Sequence, residues 1–159
     1  MNMRRMFLLL MAAALGTLVG CAGVGRLETP VVQATRAIVK VQTVGTLPSG
    51  TNIGGIQATV TYPATKGLSI TADSVGASGA DTGSLFAANT NNPGLVVVGL
   101  ATHPGMQTGE FATLTFSIAP GNYQLSAGDF AIAAGAKVIN SNGVPLPEIA
   151  VTIQDVSIQ

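Results

Sequence analysis

The stretch Gly55-Ile56-Gln57-Ala58-Thr59-Val60-Thr61-Tyr62-Pro63 decides the fold of this chain. Its apolar side chains stand at every second position and alternate with polar ones, which is typical of a strand with one buried face. Tyr62 is in phase with the apolar residues, so we expect its ring to be buried. The segment 112–118 repeats the same alternation, ending at Phe116 and Ile118. These two segments indicate a β protein.

Six further segments are predicted to be strands, because most of them are rich in valine, isoleucine and threonine. They are 37–44, 68–72, 95–101, 129–133, 136–139 and 149–158. Turn signals separate them, among them His103-Pro104-Gly105 and Asn142-Gly143, and the second is typical of a type I′ hairpin. No helical stripe of convincing length appears after Val24. The chain is therefore predicted to be an all-β sandwich.

Two of these strands depart from simple alternation. The run 95–100 is apolar on both faces, which predicts a central strand covered on each side or a strand packed at a sheet edge against a loop. In the last strand Ile149, Val151 and Ile153 share one face, whereas Val156 and Ile158 fall on the other. A bulge near Gln154-Asp155 would return the later residues to the core.

The first twenty residues have the pattern of an export signal. Arg4 and Arg5 precede an apolar run from Phe7 to Val19, and small residues lead to Cys21. The arrangement resembles a bacterial lipoprotein signal, in which the cysteine is acylated and becomes the first residue. This interpretation divides the chain into a signal peptide (1–20), a lipidated Cys21 with a flexible tether (21–34) and a domain (35–159).

Two alternatives compete with lipidation. An uncleaved transmembrane helix is disfavoured because thirteen densely apolar residues reach only about 20 Å, short of a hydrocarbon core of roughly 30 Å. The other is a chance cysteine in an ordinary signal peptide, although Cys21 is the only cysteine in the chain. No aspartate follows Cys21, a pattern that in Gram-negative lipoproteins implies the outer membrane.

Composition excludes several classes of function. Charged residues make up 9% of the chain, and the domain lacks the clustered lysines and arginines that nucleic acids require. With its only cysteine assigned to the anchor, the domain is expected to have no disulfide and no thiol chemistry.

Two segments resemble cohesin domains. In the first, Leu47-Pro48-Ser49-Gly50-Thr51 leads into the strand that ends at Tyr62-Pro63, and in the second Gly109-Glu110 precedes an alternating strand that ends at Phe116. The resemblance covers roughly residues 36–158. It implies a jelly-roll β-sandwich of about nine strands, and most cohesins bind a calcium-loaded dockerin through one sheet face. Because a lone module behind a lipid anchor departs from the usual cohesin context, the expected partner is a dockerin-like or another envelope protein.

No catalytic or metal-binding constellation stands out. His103 is the only histidine, so a blue copper site lacks its second histidine, and no Gly-x-Ser-x-Gly elbow is present. Asp73 and Asp81 flank a Gly/Ser-rich loop. A single calcium ion bound at this loop is an alternative that stays open. The domain is accordingly predicted to be neither an enzyme nor dependent on a cofactor or metal.

Two aromatic residues are candidate contacts. Phe111 is in the outward phase of its strand, where it is either an exposed contact or covered by a loop. Tyr123 is the plausible exposed ring. The sequence predicts a lipid-anchored envelope module that binds a protein through a sheet face or edge. Carbohydrate binding is the alternative, disfavoured because the chain has no tryptophan.

Overall fold

The alternating segments form antiparallel strands in the computed structural model, which describes residues 33–79 and 83–159. The signal peptide, Cys21, most of the tether and Asp81 lie outside these residues. The strands are β1 (Arg36–Val44), β2 (Ile53–Thr61), β3 (Leu68–Ser69), β4 (Val75–Ala77), β5 (Leu85–Asn89), β6 (Leu95–Met106), β7 (Glu110–Ile118), β8 (Ala131–Ile132), β9 (Lys137–Asn140) and β10 (Ala150–Ile158). Three one-turn 3-10 helices join them, at Ala64–Lys66, Ala72–Ser74 and Ala127–Asp129. No helix in this part of the chain is long and apolar enough to cross a membrane.

The ten strands of the described part of the chain form two five-stranded antiparallel sheets. The first sheet has the order β10-β1-β7-β3, with β4 also paired to β7. The second has the order β5-β6-β2-β8, with β9 also paired to β2. The predicted all-β sandwich is therefore confirmed, with ten strands where about nine were expected.

The core lies between the two sheets. Phe116 of the first sheet stands between Tyr62 and Phe130, with ring centroids 4.8 and 5.3 Å away. Tyr62 is 8% exposed, so its predicted burial is confirmed. Alternate residues of β1, β2, β6 and β7 complete this layer, and their regular burial is what the period-two pattern predicted.

The bulge predicted in the last strand is present. Asp155 pairs with Lys40 and Ile153 with Val41, so Gln154 has no partner position on β1. The extra residue restores the inward direction, since Val151, Ile153, Val156 and Ile158 all pack against the core.

A second bulge, in β7, corrects the outward placement of Phe111. Ala112 pairs with Val41 and Glu110 with Gln42, which leaves Phe111 between two paired residues. The Phe111 side chain is fully buried at 0% exposure, and its carbonyl accepts a hydrogen bond of 3.0 Å from the Ser78 N–H. The ring is therefore covered, and the alternative that it forms an exposed contact is wrong.

Two turn predictions also need correction. The hairpin at Asn142-Gly143 exists, but only Gly143 has a positive φ, so its turn is not type I′. A three-residue loop that ends on a left-handed glycine fits this geometry. The segment His103-Pro104-Gly105, predicted to be a turn between strands, lies inside β6. The pairing of β6 with β2 is irregular there, between Ala101 and Met106.

Candidate functional site: an open sheet face

The outer faces of the two sheets differ in chemistry. On the first sheet Lys40 lies opposite Thr113 of β7 and Asp155 of β10, and Thr115 and Ser157 flank Ile38 in the same way. Such a mixture of charges and hydroxyl groups is well solvated. It needs no further layer of protein to cover it.

The outer face of the second sheet is mostly apolar, and we call it the open face. It consists of Leu85, Ala87 and Asn89 of β5, Leu95, Val97, Gly99 and Ala101 of β6, Gly55, Gln57, Thr59 and Thr61 of β2, and Lys137 and Ile139 of β9. Leu85 is 76% exposed, and Leu95 and Ile139 on the same face are 39% and 36% exposed. Exposed apolar side chains that share one surface mark a candidate interaction site.

Cross-strand register explains the shape of the open face. One row runs from Lys137 through Gln57 and Gly99 to Ala87. Its two residues nearest the β5 edge carry at most a methyl group. The row is therefore low towards the β5 edge.

The next row has large side chains at its ends and small residues between them. Ile139 and Leu85 lie at opposite ends, and Gly55 and Ala101 occupy the positions between them. An added Cβ on Gly55 would come within 3.0 Å of the Ile139 side chain, so Ile139 leans across this glycine. The rows together form a shallow concavity of about 470 Å³ around Gly99, lined mainly by apolar atoms.

Gly99 occupies the middle of this face without a structural reason to be glycine. Its φ is not positive, and a Cβ built on it would meet no atom closer than the Ile56 carbonyl oxygen at 4.0 Å. Glycine weakens a strand interior by roughly 0.5–1 kcal/mol relative to alanine. A glycine that the fold does not require leaves room for another molecule to approach the backbone closely.

The electrostatics of the open face are nearly neutral. Lys137 is its single charged side chain among the described residues, and it lies at the β9 border. The two ion pairs found within residues 33–79 and 83–159 lie elsewhere: Lys40 with Glu110 at 3.2 Å, and Lys66 with Asp129 at 2.6 Å. A hydrogen bond from Ser78 lowers the pKa of Glu110, assisted by Lys40 and Thr113. A partner that docks on the open face would thus desolvate few charges.

Comparisons with known proteins agree with this architecture. No protein-family model matches the chain, and no curated protein matches it. Solved structures do match. A non-cellulosomal cohesin from the hyperthermophilic archaeon Archaeoglobus fulgidus is 18% identical with a TM-score of 0.53, over 72% of this chain and 74% of that one.

A second match is the sixth cohesin of scaffoldin B from Acetivibrio cellulolyticus, in complex with a mutant Cel5 dockerin. It is 25% identical with a TM-score of 0.54, over 71% of this chain and 82% of that chain. The domain is cohesin-like. The resemblance seen in the segments around Tyr62 and Phe116 is therefore confirmed at the level of the fold.

The structure places the two candidate contact residues of the cohesin-like domain away from the open face. Phe111 is buried in the first sheet, as described above. Tyr123 is 41% exposed, and its ring lies over Gly67 and Gly121, where an added Cβ would come within 2.5 and 2.4 Å of it. Its exposure is confirmed, while a role in binding stays a prediction. Cys21 lies outside the described residues.

The metal and catalytic candidates are also dispersed. Within residues 33–79 and 83–159 no three His, Cys, Asp or Glu side chains lie close enough together to hold a metal ion. His103 and Asp73 are exposed. Because Asp81 lies outside the described residues, the alternative of a calcium ion at that loop stays a prediction.

Sequence reasoning missed the open face of the cohesin-like domain, although one signal pointed to it. The run 95–100 is apolar on both sides, and β6 does lie between two strands, β5 and β2. However, no described segment covers its outer side, where Leu95 and Ala101 are exposed. A strand that is apolar on both faces can be read as a strand whose second face is covered by a partner.

Proposed function

We propose that this cohesin-like domain is a non-catalytic docking module that binds a protein partner on its open face. The observation that carries the proposal is the uncharged concavity around Gly99, which no segment of residues 33–79 and 83–159 covers. The solved cohesin with which it shares 25% identity was captured with a dockerin, which supports a dockerin-like partner. We propose further that lipidated Cys21 anchors the module to a bacterial envelope membrane, with the outer membrane as its destination.

The shape of the open face suits a protruding apolar element of the partner. Leu85 and Ile139 flank small residues, so a convex surface can contact the backbone of β6 at Gly99. Burial of apolar area contributes about 25 cal/mol per Å². Close approach over the central glycine therefore decides how much of that area a partner buries.

Substitution of Gly99 by arginine tests the docking face. Gly99→Arg fills the concavity with a long charged side chain, and we expect at least a tenfold loss of affinity for purified dockerin modules or for a partner isolated with the wild-type chain. The matched control is Gly76→Arg, because Gly76 is an exposed strand glycine of the first sheet with no atom within 4 Å of a built Cβ. Binding is measured by calorimetry or surface plasmon resonance.

Stability measurements separate loss of binding from loss of folding. Gly99→Ala should fold as stably as the wild type or better, whereas Gly54→Ala should unfold more easily because its Cβ would lie 2.5 Å from the Ser141 Cα. Equal affinities of the Gly99→Arg and Gly76→Arg chains for the partner would count against the open face as the docking surface.

Carbohydrate binding is a second candidate that rests on Tyr123 alone. Tyr123 is the one aromatic among the exposed large hydrophobic side chains of the described residues, and a lone ring offers a sugar a single stacking surface. Saturable binding on a glycan array that Tyr123→Ala abolishes is the result that would favour this function.

A further inference from the structure

Among the described residues, strand β5 is an unpaired edge of the second sheet. β5 pairs with β6 on one side, and within the described residues no backbone hydrogen bond joins its other side to another segment. β4, which lies near β5, belongs to the first sheet and pairs with β7. An edge strand of this kind presents unpaired N–H and C=O groups to which another strand can bind.

The two longest edge strands are protected to different degrees. β10 carries the charge of Asp155 and the bulge at Gln154, both of which discourage pairing with a foreign strand. β5 has the sequence Leu85-Phe86-Ala87-Ala88-Asn89, without charge or proline, and pairs with β6 without a register shift. The β10 edge is therefore protected against pairing with a foreign strand, whereas the β5 edge is able to pair.

We propose that β5 pairs antiparallel with β5 of a second copy of this chain, around a two-fold axis at Ala87. This register pairs all five residues, and any slip leaves some of them unpaired. It places Phe86 of each copy opposite Ala88 of the other, and Leu85 opposite Asn89. Large side chains thus meet smaller ones, and no like charges face each other at any position.

The same register leaves both docking faces available. A two-fold axis perpendicular to the sheet keeps the outward side chains of both copies on one side, so the two open faces become neighbours in a continuous sheet. Pairing uses the strand edge and does not cover Gly99. The inference therefore goes beyond the proposed docking function and does not depend on it.

The expected dimer is weak in dilute solution. Five paired residues extend only about 17 Å. An edge contact of that length falls short of the roughly 1,200 Å² that stable interfaces bury. Copies confined to a surface are concentrated relative to solution, so pairing is favoured where chains are anchored side by side.

A cysteine at the two-fold axis tests the register. Cross-strand neighbours have Cα atoms about 4.5–5.5 Å apart, which suits a disulfide. In the full chain carrying Cys21→Ser, kept in mild detergent, Ala87→Cys should form disulfide dimers at least tenfold faster than Ala150→Cys. Ala150 is an exposed alanine on the protected edge strand β10. Equal rates of dimer formation for the two variants would overturn the proposal.

A charge exchange provides a second test that needs no oxidation. Ala87→Lys and Ala87→Glu each place like charges at the axis, so each variant alone should dimerise at least tenfold more weakly than the wild type. A mixture of the two should recover association as a heterodimer, detected by native mass spectrometry or analytical ultracentrifugation. A mixture that associates no better than either variant alone would exclude a contact between the two Ala87 positions. Circular dichroism checks that each variant is folded.

Discussion

At the scale of single residues, the packing around some glycines of this domain requires a glycine, and the packing around others does not. Gly54 and Gly67 are glycine because other atoms occupy the space of a Cβ, namely the Ser141 backbone and the Tyr123 ring. Gly99 and Gly76 have no such neighbour within 4 Å, apart from one carbonyl oxygen 4.0 Å from Gly99. Only Gly99 lies in the middle of an apolar face. Gly99 weakens its strand without relieving a steric clash. The best explanation for this glycine is that it allows another molecule to approach the backbone closely.

Glu110 makes the stability of the domain sensitive to acid. A hydrogen bond from Ser78 lowers its pKa below 4.5, and Lys40 and Thr113 act in the same direction against desolvation. A carboxyl group with a lowered folded-state pKa stabilises the fold above its unfolded-state pKa and loses that contribution as the pH falls through the folded value. Because the side chain is 22% exposed, the contribution is at most about 1 kcal/mol.

Glu110→Gln should therefore remove part of the pH dependence. Urea denaturation should show the wild type more stable than the variant at pH 7, with the difference shrinking below about pH 4.5. Lys40→Met is the companion variant, since it removes the cation of the same pair. A gap between wild type and Glu110→Gln that stays constant down to pH 3 would contradict this assignment.

Phe111 shows why some residues could not be placed from the sequence. Strict alternation along β7 puts it on the outer face, and nothing in the sequence marks the bulge between Glu110 and Ala112 that buries it. In β10 the apolar residues change from one face of the strand to the other between Ile153 and Val156. This change of phase predicted the bulge, and the prediction was correct. A bulge is therefore predictable when apolar residues stand on both sides of it and change phase.

At the scale of elements, the bulge of β10 can be tested by deletion. Removing Gln154 joins Ile153 to Asp155 in a regular ladder, and the inward residues keep their directions. Removing Thr152 instead turns Ile153 outward and Gln154 inward. Deletion of Gln154 should change the free energy of unfolding by less than about 1 kcal/mol, while deletion of Thr152 should cost about 1.5–3 kcal/mol, the value of burying an isoleucine.

Both deletions shorten the same strand by one residue, so each controls for the other. Chemical denaturation of the two variants measures the difference. Equal destabilisation by both deletions would show that chain length, and not the direction of the side chains, limits the strand.

The strands that the sequence predicted well are those with a long alternating or β-branched pattern. β1, β2, β7 and β10 fall within a few residues of the predicted segments. β4 and β5 were missed because they are short and lie on either side of Gly/Ser-rich sequence, and the residues of β5 include no β-branched side chain. Since β5 forms one border of the open face, the site could not be assembled before its pairing with β6 was known.

At the scale of the whole molecule, the first strand of the domain and the open face belong to different sheets. Thr35 and Arg36 donate backbone hydrogen bonds of 2.6 and 2.9 Å to the Gln159 carbonyl oxygen, which fixes the start of β1 beside the end of β10. Both strands belong to the first sheet, whereas the open face is the outer surface of the second. The described part of the domain thus begins in the sheet that does not carry the open face.

Lipidation of Cys21 is the prediction that decides whether the whole molecule is attached to a membrane. Each buried methylene contributes about 0.8 kcal/mol, so several acyl chains on one cysteine would hold the protein firmly. The mature chain should begin at Cys21, incorporate labelled fatty acid and show the corresponding added mass by intact-protein mass spectrometry. Cys21→Ser should incorporate none, because the chain has no second cysteine to accept an acyl group. An unlabelled wild-type chain that keeps residues 1–20 would instead establish the transmembrane alternative, and one cleaved without added mass would establish an ordinary export signal.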